Sequence, residues 1–197
     1  PAHADVVGDQ RTFGIDTSYE LRGRAQVTAT LKSISERAYF YVADEYWSGL
    51  STSGQQRFQS IFEELGREFD TRIYPIETSF FGSEPNPGID RDVHITFLFT
   101  TLRSGIGGYF DGIHEYSKVY VPGSNEREMI FLNVQYATSS RHLYSFLAHE
   151  FQHLISYNQR ELLRSVSEEV WLNELRSEYA IELLEYNDPY FDSFLQR

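Results

Sequence analysis

The sequence predicts an α+β fold in which helices cover one face of a mixed, twisted sheet. Three observations carry that expectation. Residues 27–31 and 38–42 are β-branched and aromatic runs either side of a six-residue polar stretch, the pattern of a hairpin. Residues 93–99 form an apolar run suited to the centre of a sheet. Apolar residues at helical spacing recur over residues 52–70, 142–157 and 165–186.

In chain order, residues 1–24 are polar with few apolar positions and read as an N-terminal arm or the remnant of a pro-segment. The hairpin follows, and residues 46–53 read as a turn. Phe58, Ile61, Phe62, Leu65 and Phe69 then lie on one face of a helix that backs the sheet. Residues 71–76 are expected as a short strand, and 82–90, rich in Pro and Gly, as a loop. The central strand carries His94 on one face, where an imidazole is expected to be a hydrogen-bonded structural group. Gly105, Gly107 and Gly108 precede Tyr109 and Phe110, and glycines in a strand mark close approach by another backbone. Asp111, His114 and Glu115 read as a solvated loop, with an auxiliary metal site as the alternative. Residues 129–133 are the last strand, followed by a helix over about 142–157. A final helix spans 165–186, with Ser165 and Glu168 as a capping box and Asn187-Asp188-Pro189 as its stop.

At 197 residues and 41% hydrophobic content, the chain is long enough for one domain with a sizeable core. Its net charge of -12 disfavours a nucleic-acid partner or an anionic membrane surface. With no cysteine, disulfides and thiolate metal sites are excluded. No apolar run approaches the length of a membrane span. The chain opens at Pro1, not Met, and reads as a processed or excised form; oligomeric state is left open.

The chemistry concentrates at His149-Glu150-Phe151-Gln152-His153. Residues four apart share a helix face, so His149 and His153 can point two imidazoles at one ion, with Glu150 beside them. This H-E-x-x-H spacing gives two ligands and a carboxylate placed to take a proton from metal-bound water. Catalytic zinc takes a third protein ligand and keeps an open position. Glu174 and Glu178, four apart on the last helix, supply candidates: Glu174 as the ligand, and Glu178 as a partner for the far nitrogen of one histidine.

The HEFQH run, followed by WLNE and SEYA, resembles the gluzincin metallopeptidases, and the flanking GYF and SNERE look most like the bacterial hyicolysin-type peptidases. The resemblance covers about Ala25 to Phe194. It implies a zincin-like catalytic domain over residues 25–197, with the C-terminal subdomain minimal or truncated. It also implies Zn2+ on His149, His153 and Glu174, Glu150 as general base, and a peptide or protein substrate. Gly107, Gly108 and Tyr109 are then candidates for an edge strand that binds peptide by strand addition, and the location implied is secreted or cell-surface. The pattern departs at Leu175-Arg176, where Gly and an apolar residue are expected.

Other zinc classes fail locally. Ser156 and Gln159 stand where a metzincin needs Gly and His, deformylase-like sites need cysteine, and no GxMEN stretch of an aminopeptidase is present. The expected function is therefore a zinc endopeptidase, with a catalytically silent binding module or a latent zymogen as the alternative. For the oxyanion donor, Tyr157, Arg160 and Arg164 are weak candidates.

Overall fold

The computed structural model describes residues 4–137 and 139–186. Six strands form one sheet: β1 (Gln10–Gly14), β2 (Gln26–Ile34), β3 (Ala38–Ala43), β4 (Ile95–Thr100), β5 (Gly108–Phe110) and β6 (Met129–Asn133). Their spatial order is β1-β2-β3-β4-β6-β5. Pairing is antiparallel at β1/β2, β2/β3 and β5/β6 and parallel at β3/β4 and β4/β6. The helices are α1 (Asp44–Ser48), α2 (Thr52–Glu68), α3 (Tyr74–Phe81), α4 (Ser140–Ser156) and α5 (Val170–Leu183). This is the mixed, zincin-like α+β arrangement expected of the sequence.

Every residue of β3, β4 and β6 is buried, because both faces of the sheet centre are covered. On one face Phe40, Phe97 and Phe99 meet Phe58, Phe62 and Leu65 of α2 together with α4. On the other, Tyr39, Tyr41, Leu98 and Phe131 pack with Phe13, Val27 and Leu31 of the outer strands. The high aromatic content serves this core, and Phe69 joins its parts: the ring lies 5.0 Å from Phe97 and 5.1 Å from Phe151. Phe151, between the two motif histidines, is fully buried and also stacks on Tyr74 at 5.6 Å. That packing fixes the rotation of α4, so that positions 149, 150 and 153 turn away from the core.

Five expectations are corrected. Gln10–Gly14 is not a free arm but the edge strand β1, antiparallel to β2. Upstream of it, buried Asp5 accepts from Tyr41 Oη at 2.6 Å and from Arg127 Nη1 at 2.9 Å, and pairs with Arg11. The turn expected at 46–53 begins as the short helix α1, after which Ser51 caps α2 by accepting from Gly54 N at 3.2 Å. Residues 71–76 are helical, not a strand: α2 runs through a π turn, Phe69–Ile73, into α3. Thr71, Ile73 and Ile76 favour strand locally, but Phe69 and Ile73 continue the buried helical face of α2, and burial overrides propensity. The last helix starts at Val170, not 165. Ser165 sits at a φ of 53° and caps nothing, while Glu168 is ion-paired with Arg176. The expected stop at 187–189 lies outside the described residues. Central strand β4 begins at Ile95, two residues later than expected. His94 is structural, as expected: it stacks on Tyr39 at 4.3 Å and bonds Asp92 Oδ1 at 2.5 Å.

Candidate metal centre

Helices α4 and α5 pack against each other and bring the motif histidines to Glu174. His149 Nε2 lies 3.1 Å from His153 Nε2. Glu174 offers Oε2 at 3.5 Å from His149 Nε2 and Oε1 at 3.7 Å from His153 Nε2. Ligands about 2.0–2.1 Å from a tetrahedral zinc lie roughly 3.3 Å from one another, so the three separations bracket that geometry. Among the described residues this is the one group of three potential ligands that converge in this way. Two neutral imidazoles and a carboxylate are also a donor set that zinc accepts.

The far ring nitrogen of His153 is held. His153 Nδ1 lies 3.1 Å from Asn173 Oδ1 and 3.1 Å from Ser177 Oγ. Ser177 donates to Gln152 Oε1 at 2.7 Å, and Gln152 Nε2 donates to Ser156 Oγ at 2.8 Å. With its own proton committed to Gln152, Ser177 accepts from His153 Nδ1–H, which leaves the Nε2 lone pair facing His149 and Glu174. Sequence reasoning missed Gln152, Asn173 and Ser177. The available signal was their spacing, since Asn173 and Ser177 are four apart on one face of α5 and Gln152 adjoins His153. Glu178 Oε1 lies 3.5 Å from His149 Nδ1, beside the far nitrogen of that histidine.

Burial opposes a charge on His149, but the contact with Glu174 and the nearby Glu150 and Glu178 outweigh it, and its pKa is raised. Glu174 is lowered in turn, first by His149 and then by His153, against partial desolvation. Burial raises Glu178 despite His149. Glu150, itself buried, faces the edge strand: a Cβ added at Gly108 would stand 3.4 Å from its Cγ.

The glycine stretch explains that proximity. A Cβ at Gly107 would come within 1.9 Å of the Phe146 ring of α4, and one at Gly108 within 2.8 Å of Phe131 O. These glycines let α4 lie against the sheet edge. Tyr109 does not present its side chain to the same cleft. Its ring is buried, stacks on Phe131 at 4.4 Å, and its hydroxyl accepts from Asp16 N at 3.2 Å. Alternation along β5 sends the Tyr109 side chain to the far face, so the strand-addition role expected of this residue belongs to its backbone.

Asp111, His114 and Glu115 are not a solvated loop either. His114 is 2% exposed, accepts from Asn125 N at 3.1 Å through Nδ1, and is pushed down to about 4 by burial. Glu115 is pushed up to about 10 by burial and by neighbouring Glu128. They do not converge with Asp111 as a metal group. Of the weak oxyanion candidates, Tyr157 donates to Tyr116 Oη at 2.8 Å and Arg164 bonds Gln159. Arg160 lines a cavity beside His153 and Glu174. At the departure from the family pattern, Arg176 reaches back to buried Glu168, which ties down the segment leading into α5.

Fold and site together define an α+β protein with a two-histidine, one-carboxylate cluster of the kind that holds a divalent metal. No family model matches the chain. Over 166 residues it is 31% identical to the neutral metalloprotease ShpI of Staphylococcus hyicus. The alignment covers 76% of this chain and 34% of that protein, so the chain spans about a third of the relative's length. The likeness supports a metalloprotease family. No helix among the described residues is long and apolar enough to cross a membrane.

Proposed function

We propose that this chain is the catalytic part of a zinc-dependent endopeptidase of the gluzincin type, with Zn2+ held by His149, His153 and Glu174. The observation that carries the reading is the convergence of those three side chains, with separations of 3.1, 3.5 and 3.7 Å. Zinc bound there supplies a polarised substrate carbonyl and a water acidic enough to lose its proton near neutrality.

The chain's own groups do the rest. Glu150 takes that proton as general base and returns it to the leaving amine. Asn173 and Ser177 orient His153, and Glu178 orients His149. The open sheet edge at β5, with Gly108 beside Glu150 and Gly107 against Phe146, takes the substrate backbone by strand addition. On the gluzincin resemblance alone, we infer a secreted or cell-surface setting. The same site on a binding module would hold zinc without turnover.

The test is cleavage of a quenched peptide library by the zinc-loaded chain, beside Glu150→Gln and a chelated control. Cleavage lost in both controls supports the reading. Zinc bound at one per chain with no cleavage of any peptide removes the claim of an active endopeptidase and leaves the silent module.

A further inference from the structure

Beside the metal cluster lies a cavity of about 200 Å³, bounded by Phe110 of the edge strand, His153, Tyr157, Arg160, Glu168 and Glu174. It opens from the candidate metal centre toward the π turn Tyr157–Leu162 that continues α4. Such widened turns frequently occur at functional sites. Arg160 is the one arginine or lysine lining the cavity among the described residues. Its Nε is buried and has no hydrogen-bond partner among the described residues.

Of the carboxylates around it, Glu168 keeps a buried Oε2 without a hydrogen-bond partner among the described residues, and the others are engaged or turned away. Glu168 is ion-paired with Arg176, and Glu174 faces the two imidazoles. Glu161 is exposed, and adjacent residues on a helical turn do not face each other. A guanidinium with a buried, unused donor is matched best by a carboxylate, which accepts two parallel charge-assisted hydrogen bonds from the fork. The protein's net charge of -12 repels acidic peptides in general, so any preference for a carboxylate must be made locally.

We propose that this cavity is a specificity subsite that takes a carboxylate of the peptide substrate, held by Arg160, with Phe110 and Tyr157 as the apolar walls around its methylene groups. The proposal rests on the peptidase reading for its choice of a peptide. It goes beyond that reading in naming the substrate class, a peptide with an acidic group near the bond to be cut. That carboxylate comes from a Glu or Asp side chain or from the peptide's own C-terminus, and both present the same chemistry to Arg160.

The experiment uses the full zinc-loaded chain and a series of fluorescent host peptides. Each carries one Glu, or one Gln in its place, at successive positions, with a free or an amidated C-terminus. Binding is read by anisotropy on the Glu150→Gln chain, and cleavage on the chain with Glu150 intact. We expect one position, or the free C-terminus, at which the carboxylate strengthens binding roughly tenfold over its amide counterpart. That preference should vanish in Arg160→Gln and be partly restored in Arg160→Lys, with melting curves showing all variants folded. Equal binding of acid and amide at every position overturns the inference, as does a preference that survives Arg160→Gln, or no binding of any peptide. Cleavage without an acidic preference sinks the subsite but leaves the peptidase standing. Acid-selective binding without cleavage does the reverse.

Discussion

Gly107→Ala is a stringent probe of how the sheet edge positions the candidate general base. The new Cβ would lie 1.9, 2.4 and 2.5 Å from three ring atoms of Phe146. That ring is 4% exposed and packs on Tyr136 at 5.3 Å, so it has little room to rotate away. Overpacking of this kind costs about 1–3 kcal/mol. For a chain of this size that is roughly 2–12 °C in melting temperature. Phe146 and Glu150 are four apart on α4, so relief by moving the helix also moves Glu150 and His149. We expect a lower melting temperature by calorimetry and weaker zinc binding by chelator competition. Gly123→Ala, whose added Cβ meets nothing within 4 Å, should melt within about 1 °C of the parent chain. Adding Phe146→Leu to Gly107→Ala should recover part of the loss, a favourable coupling in a double-mutant cycle. A Gly107→Ala chain that melts with the parent, or a cycle with no coupling, would refute the collision as the reason for glycine.

Two further outcomes follow from the buried polar groups. Ser177→Ala removes the hydroxyl between Gln152 and His153; zinc affinity should fall by about 10- to 100-fold, and unchanged affinity in a metal titration would show that Asn173 alone orients the ring. Glu115 holds its proton in the folded chain up to about pH 10, whereas the unfolded chain releases it near its ordinary value of 4.5. Across that window the folded state binds more protons, so stability falls as pH rises. Glu115→Gln, permanently neutral, should therefore melt above the parent chain at pH 8 and close to it at pH 5. A variant that melts lower at pH 8 would contradict the burial argument.

The candidate site was legible in the sequence because its spacing is local. His149, Glu150 and His153 are set by helical spacing, and the same spacing marked Glu174 and Glu178 on a second helix. The hairpin, the backing helix and the central strand were legible for a related reason: apolar period is a local record of which side is buried. Residues 71–76 misled, because β-branched side chains there obey a helical burial pattern that begins at Phe58 of α2. The polar N-terminal stretch misled too, because Asp5 is buried only where Tyr41 and Arg127, far apart in sequence, meet it. His114 and Glu115 look like loop residues until the fold closes over them. Only the tertiary structure could convert Gly107 and Gly108 from a glycine-rich strand into the surface on which α4 lies. It alone could reveal the Ser177 and Asn173 partners of His153 and leave Arg160 beside the candidate metal centre with a buried, unspent donor. Each of these depends on two segments meeting across the fold, and one-dimensional spacing holds no record of that.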